Sequence, residues 1–117
     1  MDLDIKGKTV LVTGASGGIA AAAAKVLHAE GAKLTLTDLD SDEVDRQARQ
    51  IGEDVDHVAA NMTDTSDIDR LGKLMKDKGG IDILVHAAGV TGAKGDPLEM
   101  TDEEYHRVWE TNFMSVV

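Results

Sequence analysis

Residues 9–20 place a short apolar run directly against a glycine-rich turn, and the turn opens into a run of alanines. This order predicts a buried strand, a tight turn and the first turn of a helix. Glycines in such a turn let main-chain amides approach a phosphate, and the start of the helix adds unpaired N–H donors and the positive end of its dipole. We therefore expect a nucleotide cofactor whose diphosphate is held by Gly14, Ser16, Gly17, Gly18 and Ile19.

A carboxylate at the end of the second predicted strand strengthens this interpretation. Asp38 follows the turn at close to the spacing of ~20 residues at which an acid binds the ribose of a dinucleotide. A carboxylate accepts hydrogen bonds from both ribose hydroxyls but repels a 2′-phosphate, and neither Ser16 nor Leu39 offers a basic counter-charge. The sequence therefore favours NAD over NADP, with Asp38 and Leu39 on the ribose side. The alternative is an acid that is merely solvated at a strand end.

Composition limits the classes of partner. A chain of 117 residues with 42% hydrophobic and 29% charged residues is predicted to fold as one domain over residues 1–117. Its net charge of -10, with 12 basic residues spread among 22 acids, argues against nucleic acid and anionic membranes as partners. The sequence shows neither a secretory signal nor an apolar run of membrane-spanning length, so we expect a cytoplasmic protein. With no cysteine, and with histidines that lack metal-site spacing, we expect no metal site.

Apolar strand patterns alternate with helical patterns along the chain. Such alternation is typical of parallel strands joined by right-handed crossovers, with helices on both faces of the sheet. We predict an α/β fold of the Rossmann type, a doubly wound parallel sheet of four strands in the order 3-2-1-4 that is incomplete on its C-terminal side. The predicted strands are 9–12, 33–37, 55–59 and 81–86, and the predicted helices are 18–30, 42–51, 64–78 and 102 to the end of the chain.

Two local features bear on how the helices begin and pack. Ser41, either Thr63 or Thr65, and Thr101 are predicted N-caps, and Thr101 with Glu104 fits a capping box. The alanine run 20–24 has two interpretations, either a good helix former or a helix pressed closely against the sheet.

Together these residues resemble the N-terminal half of the short-chain dehydrogenase/reductase family. The matching motifs, in family order and spacing, are Thr13-Gly14-x-x-x-Gly18-Ile19-Ala20, the acid Asp38, Asn61-Met62-Thr63, His86-Ala-Ala-Gly89 and Asn112. The resemblance implies an oxidoreductase that transfers hydride between a nicotinamide cofactor and an alcohol or carbonyl substrate. It implies that Asn61 and Met62 lie against the adenine, that Ala88 and Gly89 lie beside the cofactor, and that Asn112 is an active-site residue that organises water or helix geometry.

The sequence departs from the family pattern at several motif positions. Ala20 stands in place of the third glycine, and we expect its methyl group to narrow the gap near the phosphates. Asn61 replaces an acid, and its amide oxygen is expected to accept from the adenine amino group instead. His86 and Ala87 replace two asparagines, so we expect the side-chain bridge at Ala87 to be absent and some rigidity to be lost.

The catalytic tyrosine and lysine of the family have no counterpart in these residues. The only tyrosine, Tyr105, is followed four places on by Trp109 rather than by lysine. We therefore expect this chain alone to transfer no hydride, and to be the NAD-binding portion of a longer enzyme. A stand-alone nucleotide-binding or assembly module without catalysis is the alternative.

Two surfaces predict self-association. Tyr105, Trp109 and Phe113 share one side of the last predicted helix at i, i+4 spacing, and strand 81–86 lacks an outer neighbour in the order 3-2-1-4. A second copy would cover both surfaces, so we expect a homo-oligomer.

Overall fold

The computed structural model describes residues 2–90 and 96–117, in which strands and helices alternate from the start. Helix α4 (Asp102–Trp109) follows a 3-10 turn at Pro97–Glu99 and continues into a π-helical segment, Glu110–Met114. The predicted boundaries agree with the observed ones to within one or two residues, except at this last helix. The preceding elements are β1 (Thr9–Thr13), α1 (Gly18–Ala29), β2 (Lys33–Asp38), α2 (Ser41–Ile51), β3 (Asp56–Ala59), α3 (Thr65–Asp77) and β4 (Ile83–His86).

The four strands form one parallel sheet in the order β3-β2-β1-β4, which confirms the predicted fold class and strand order. The chain moves outward from β1 to β3 on one side and then crosses to β4 on the other. In register, Thr13 at the end of β1 lies opposite Thr37 of β2 and His86 of β4. The carboxyl ends of β1 and β4 therefore flank the point where the winding reverses, which is where doubly wound sheets bind ligands.

The core lies on both faces of the sheet because side chains of β1 alternate between them. Val10 and Val12 are fully buried among residues of α1 and α2, whereas Leu11 packs on the other face against Leu71 and Met75 of α3. Helices on both faces explain why β1 reads as an apolar run and why Thr35 and Thr37 of β2 are buried along with its leucines. Of the alanine run, Ala20 and Ala24 are buried in the core cluster that contains Val10 and Val12, while the other alanines of the run are more exposed. The two buried alanines agree with a helix pressed closely against the sheet.

Helix capping differs from the prediction at two helices. The cap of α2 is Asp40 rather than Ser41, and the cap of α3 is Asp64 rather than Thr63 or Thr65. In each case one carboxylate oxygen accepts two backbone amides of the first turn, and its negative charge lies at the positive end of the helix dipole. The predicted capping box of Thr101 with Glu104 is confirmed at α4.

The last helix does not continue as a regular α-helix to the end of the chain. After α4, the amide of Ser115 donates to the carbonyl of Glu110 at 3.0 Å, a π-helical hydrogen bond. No residue of α4 is buried. The rings of Trp109 and Phe113 stack with centroids 4.4 Å apart and remain half exposed, and so does Leu84 of β4.

Candidate functional site

A cleft of about 460 Å³ lies at the carboxyl ends of the strands, next to the glycine-rich turn. Every strand contributes to its walls through its last residues or those that follow it, and the last helix closes one side. The lining residues fall into the turn (Gly14, Gly17), the end of β2 (Thr37, Asp38, Leu39), the segment after β3 (Ala60, Asn61, Met62, Thr63), the segment after β4 (Ala87, Ala88, Gly89, Val90) and the last helix (Arg107, Thr111).

A second cavity of about 400 Å³ lies towards the amino ends of the strands. Its lining includes Lys33, Asp54, Asp56 and Lys78, and the last two form an ion pair. None of the residues predicted to bind a cofactor lines it. The carboxyl-end cleft is therefore the candidate site.

Gly14 brings the turn after β1 into contact with the segment after β4. Its φ is +62°, and a Cβ added there would lie 2.5 Å from the carbonyl oxygen of Ala87 and 2.6 Å from the amide nitrogen of Ala88. Only glycine tolerates both the backbone angle and this approach. The turn is tied to β2 as well, since the amide of Ala15 donates to the carbonyl of Thr37 at 3.1 Å.

The start of α1 is the one α-helix N-terminus in the described residues that has no side-chain cap. Gly17 is its N-cap, and its first turn contains no acid, whereas Asp40, Asp64 and Thr101 cap the other three α-helices. First-turn amides need an external acceptor, and an acid placed there would compete with an anionic ligand. The amide of Ala21 donates to the carbonyl of Gly17 at 2.9 Å, so the amides before it at this helix start are available to an external acceptor. This pattern is typical of helices that bind phosphate.

The carboxylate of Asp38 lies against the turn and is fixed by two backbone amides. Oδ2 accepts from the amide of Ser16 at 2.9 Å, and Oδ1 accepts from the amide of Leu39 at 2.7 Å. Each oxygen keeps acceptor capacity beyond these bonds. The structure therefore brings together the two predicted parts of the site, which lie 22 residues apart at Ser16 and Asp38.

Two hydroxyls at the site are buried without a hydrogen-bond partner among the described residues, Ser16 Oγ and Thr37 Oγ1. Leaving a buried hydroxyl unsatisfied costs on the order of 1–3 kcal/mol, so such groups point to a ligand or water that completes them. Thr37 is fully buried and lines the cleft, and Ser16 is in the turn. The two unsatisfied hydroxyls are what a polar cofactor bound in the cleft would be expected to meet. Thr37 was not predicted from the sequence because it looks like an ordinary strand residue there.

Asn61 and Met62 line the cleft after β3. The side-chain oxygen of Asn61 accepts from the amide and the hydroxyl of Thr63, at 2.9 and 2.7 Å. The backbone amide of Asn61 donates to Asp67 Oδ2 at 2.9 Å, and this hydrogen bond holds the segment after β3 against α3. Met62 packs against the core cluster that contains Leu11.

On the β4 side, Asn112 holds the backbone of Val90 with two hydrogen bonds. Its Oδ1 accepts from the Val90 amide and its Nδ2 donates to the Val90 carbonyl, both at 2.7 Å. Gly89 passes so close that a Cβ there would lie 3.2 Å from Asn112 Oδ1. Asn112 thus fixes the geometry between the last helix and the segment containing Ala88 and Gly89, and this pairing with Val90 was not predicted.

Three further predicted positions are placed as follows. The side chain of Ala20 is buried in the sheet core and is not among the cleft-lining residues, so its methyl group does not narrow the cleft. Ile19 is exposed at the first turn of α1. The ring nitrogens of His86 lie 3.2 Å from Thr13 Oγ1 and 3.3 Å from Ser115 Oγ, and the loss of rigidity expected at this motif stays a prediction.

Within residues 2–90 and 96–117, no group of three or more His, Cys, Asp or Glu side chains is arranged to hold a metal ion. None of the helices in that part of the chain has the length and apolar character needed to cross a membrane.

The parallel sheet, its winding reversal at the cleft and the uncapped glycine-rich helix start define a Rossmann-type nucleotide-binding domain. A family model for short chain dehydrogenase matches residues 8–117. The chain belongs to the short-chain dehydrogenase family, and it corresponds to the nucleotide-binding portion of that family's fold.

Individual relatives agree with this assignment. The chain is 38% identical over 114 residues to nodulation protein G of Rhizobium sp. (strain N33), covering 97% of this chain and 46% of that protein. A glucose/ribitol-type short-chain dehydrogenase/reductase from Brucella melitensis superposes with a TM-score of 0.90 at 37% identity, covering 99% of this chain and 50% of that one. A 3-ketoacyl-(acyl-carrier-protein) reductase from Brucella melitensis, complexed with NADH, superposes with a TM-score of 0.88 at 31% identity. This match covers 96% of the present chain and 46% of the reductase chain. The chain spans about half the length of the relatives it matches.

Proposed function

We propose that the cleft binds NAD(H), and that the complete protein transfers hydride between this cofactor and an alcohol or carbonyl substrate. The observation that carries the proposal is the Asp38 carboxylate, fixed by the amides of Ser16 and Leu39 at the rim of the glycine-rich turn. A carboxylate held there without its own counter-ion is suited to accept from the two hydroxyls of a ribose. The relative from Brucella melitensis described as complexed with NADH supports a nicotinamide cofactor.

The remaining residues divide along the length of a dinucleotide. In this proposal the diphosphate lies over the turn and the start of α1, and the adenine lies between Asn61 and Met62. Arg107, the one lining residue in the described part of the chain with a cationic side chain, adds favourable charge on the far wall. The groups proposed for the diphosphate are Gly14, Ser16, Gly17, Gly18 and Ile19, the residues beside the ribose are Asp38 and Leu39, and the backbone beside the nicotinamide half is Ala88 and Gly89.

These residues bind and orient rather than move protons. A bound NAD supplies the hydride acceptor for the reaction. Asn112 keeps the segment after β4 in position through Val90, which makes it a positioning residue in this proposal. Because no Tyr-x-x-x-Lys pair is present in the 117 residues, we propose that they bind the cofactor but do not turn over substrate on their own.

Preference for NAD over NADP follows from the charge at Asp38. The negative charge of Asp38 would repel the 2′-phosphate of NADP. Among the described residues that line the cleft, Arg107 is the one basic side chain, and it lies on the last helix rather than beside Asp38 at the end of β2. Calorimetric titration of the protein with NAD and NADP tests this. We expect NAD to bind more tightly than NADP.

The decisive variant is Asp38→Ser. Hydrogen bonds to a charged group contribute about 1.5–3 kcal/mol, so NAD affinity should fall roughly 10- to 100-fold while NADP affinity rises. Asp69→Ser, on the exposed surface of α3, changes the net charge equally and should leave both affinities unchanged. Absence of NAD binding at millimolar concentration would remove the proposal, and equal binding of the two cofactors by the unmodified protein would remove the role of Asp38 in selectivity.

A further inference from the structure

We propose that His86 is a positioning residue of the cleft, and that it acts as a neutral imidazole protonated on Nε2. In this state it completes a directional hydrogen-bond chain from the Ala88 amide to the Thr111 carbonyl. The functional part of the inference, although not the hydrogen-bond chain itself, rests on the proposed cofactor binding.

The imidazole spans the gap between the sheet and the last helical segment. His86 ends β4 and lies in register with Thr13, the last residue of β1. Its Nδ1 lies 3.2 Å from Thr13 Oγ1, and its Nε2 lies 3.3 Å from Ser115 Oγ. Ser115 follows directly after the π-helical segment, so one side chain connects the strand pair beneath the glycine-rich turn to the far end of the last helix.

The hydrogen bonds from Ala88 to His86 fix where the protons lie in the first half of the hydrogen-bond chain. The amide of Ala88 donates to Thr13 Oγ1 at 3.4 Å, and an amide cannot reverse that role. Thr13 is 2% exposed, so its own hydroxyl hydrogen needs an acceptor inside the protein. In the described part of the chain, His86 Nδ1 is the acceptor placed within hydrogen-bond distance. Nδ1 is therefore unprotonated.

The second half fixes the other ring nitrogen independently. The hydroxyl of Ser115 donates to the carbonyl oxygen of Thr111, and a carbonyl oxygen can only accept. Ser115 Oγ is then left as an acceptor, so the Nε2–H of His86 donates to it. Both ends of the chain require the same neutral tautomer.

This arrangement holds two walls of the cleft at one separation. Ala88 and Thr111 both line the cleft, one after β4 and the other on the last helix. The Asn112 pairing with Val90 joins the same two walls at a second point. Loss of the His86 link should therefore let the walls shift relative to one another and weaken cofactor binding without removing any direct contact to the cofactor.

Nitrogen NMR of the histidine ring in the intact protein tests the tautomer directly. We expect a protonated Nε2 and an unprotonated Nδ1 for His86, held in a single state. In Ser115→Ala the Nε2–H loses its acceptor while Thr13 Oγ1 still donates to Nδ1. We therefore expect the same tautomer with a changed Nε2 resonance, and a backbone amide spectrum that stays that of a folded protein. An Nδ1–H tautomer or an exchanging mixture in the unmodified protein overturns the hydrogen-bond chain.

A double-variant cycle tests positioning, with NADH fluorescence as the readout. An Asn side chain keeps an acceptor near the Nδ1 position but is too short to reach Ser115, so His86→Asn and Ser115→Ala break the same link. Each substitution should weaken NADH binding roughly 2- to 10-fold. The double variant should bind NADH as well as the single variant that has the lower affinity. Additive losses, or no loss in either single variant, overturn the positioning role.

The outcomes separate this inference from the proposed function. If the unmodified protein binds no NADH, the proposed function fails and the positioning role fails with it, while the ring spectrum still decides the hydrogen-bond chain. If NADH binds but the ring has the wrong tautomer, only this inference fails. Should His86→Asn not fold, Ser115→Ala carries both the spectral and the binding tests.

Discussion

At the scale of single residues, Gly14 is the position where a change of one methyl group should matter most. It combines a φ of +62° with backbone of Ala87 and Ala88 inside 3 Å of where a Cβ would lie. For Gly14→Ala we expect a loss of at least about 1–3 kcal/mol in the free energy of unfolding from the backbone angle alone, with the collision adding to it. Chemical denaturation followed by circular dichroism measures the change.

Gly72→Ala is the matched control for this substitution. Gly72 lies inside α3, where nothing lies within 4 Å of an added Cβ, and alanine favours the helix by roughly 0.5–1 kcal/mol. Gly72→Ala should therefore stabilise the protein slightly. Equal effects of the two substitutions would show that the turn relaxes easily and that Gly14 is not the tight contact described above.

Residues whose role follows from their type and spacing could be identified from the sequence. Contacts between residues far apart in the sequence could not. The glycines of the turn and the acid Asp38 carry their signal in type and spacing. The links from Asn112 to Val90 and from His86 to Thr13 and Ser115 depend on which strand ends meet, and no local pattern encodes that. The resemblance to the family singled out Asn112 and His86 without their partners.

At the scale of elements, helix starts were located correctly to within a residue, but the capping side chain was often misassigned. Asp64 illustrates the chemistry behind the correction. The Ser66 side-chain hydroxyl, followed by the amides of Ser66 and Asp67, donates to this carboxylate and lowers its pKa below the usual value of 3.8. A hydroxyl cap would not titrate, so the identity of the cap gives α3 a dependence on acid.

The sign of this dependence follows from the lowered pKa. Because the folded state holds Asp64 ionised more strongly than the unfolded state does, its contribution to stability is complete above about pH 4 and is lost as the pH falls through the lowered value. Asp64→Asn keeps an N-cap acceptor that does not titrate. We expect the two proteins to be similar in stability near neutral pH, and the original to lose more stability between about pH 4 and 2.

Urea denaturation midpoints measured at a series of pH values provide this comparison. Asp69→Asn on the same helix is the control and should follow the pH dependence of the original protein. If Asp64→Asn loses as much stability in acid as the original protein does, the hydrogen bonds to Asp64 do not contribute in the way described.

At the scale of the whole molecule, the alternation of strands and helices was sufficient to predict a parallel sheet and its order, because the handedness of crossovers leaves few alternatives. The end of the chain was less predictable. The i, i+4 aromatic stripe indicated a helix with a packed face, but Trp109 and Phe113 stack on each other and remain 52% and 51% exposed. A helical pattern fixes which residues share a face, and only tertiary packing decides what that face meets.

The exposed surfaces at β4 and the last helix lead to the prediction that copies of the chain associate. β4 pairs only with β1 in the described sheet, and Leu84 at the middle of this edge strand is 56% exposed. Edge strands with apolar side chains pair readily with further strands, and stacked aromatic rings are frequent at interfaces. We propose a second copy as the partner, so light scattering of the 117-residue chain should give a mass that rises with concentration.

Charge placed at the edge should reverse this association. Leu84→Lys removes apolar area worth about 1.5–3 kcal/mol when fully buried and adds like charges to both copies, so we expect dimer affinity to fall by at least roughly 10-fold. Leu98→Lys is the matched control, since Leu98 is 92% exposed in the 3-10 turn and outside both surfaces. A clean monomer at high concentration would contradict the association, and equal effects of the two lysines would place the interface away from β4. A loss confined to Leu84→Lys would instead assign the contact to the edge strand, because the two substitutions change net charge identically and differ only in the surface they disturb.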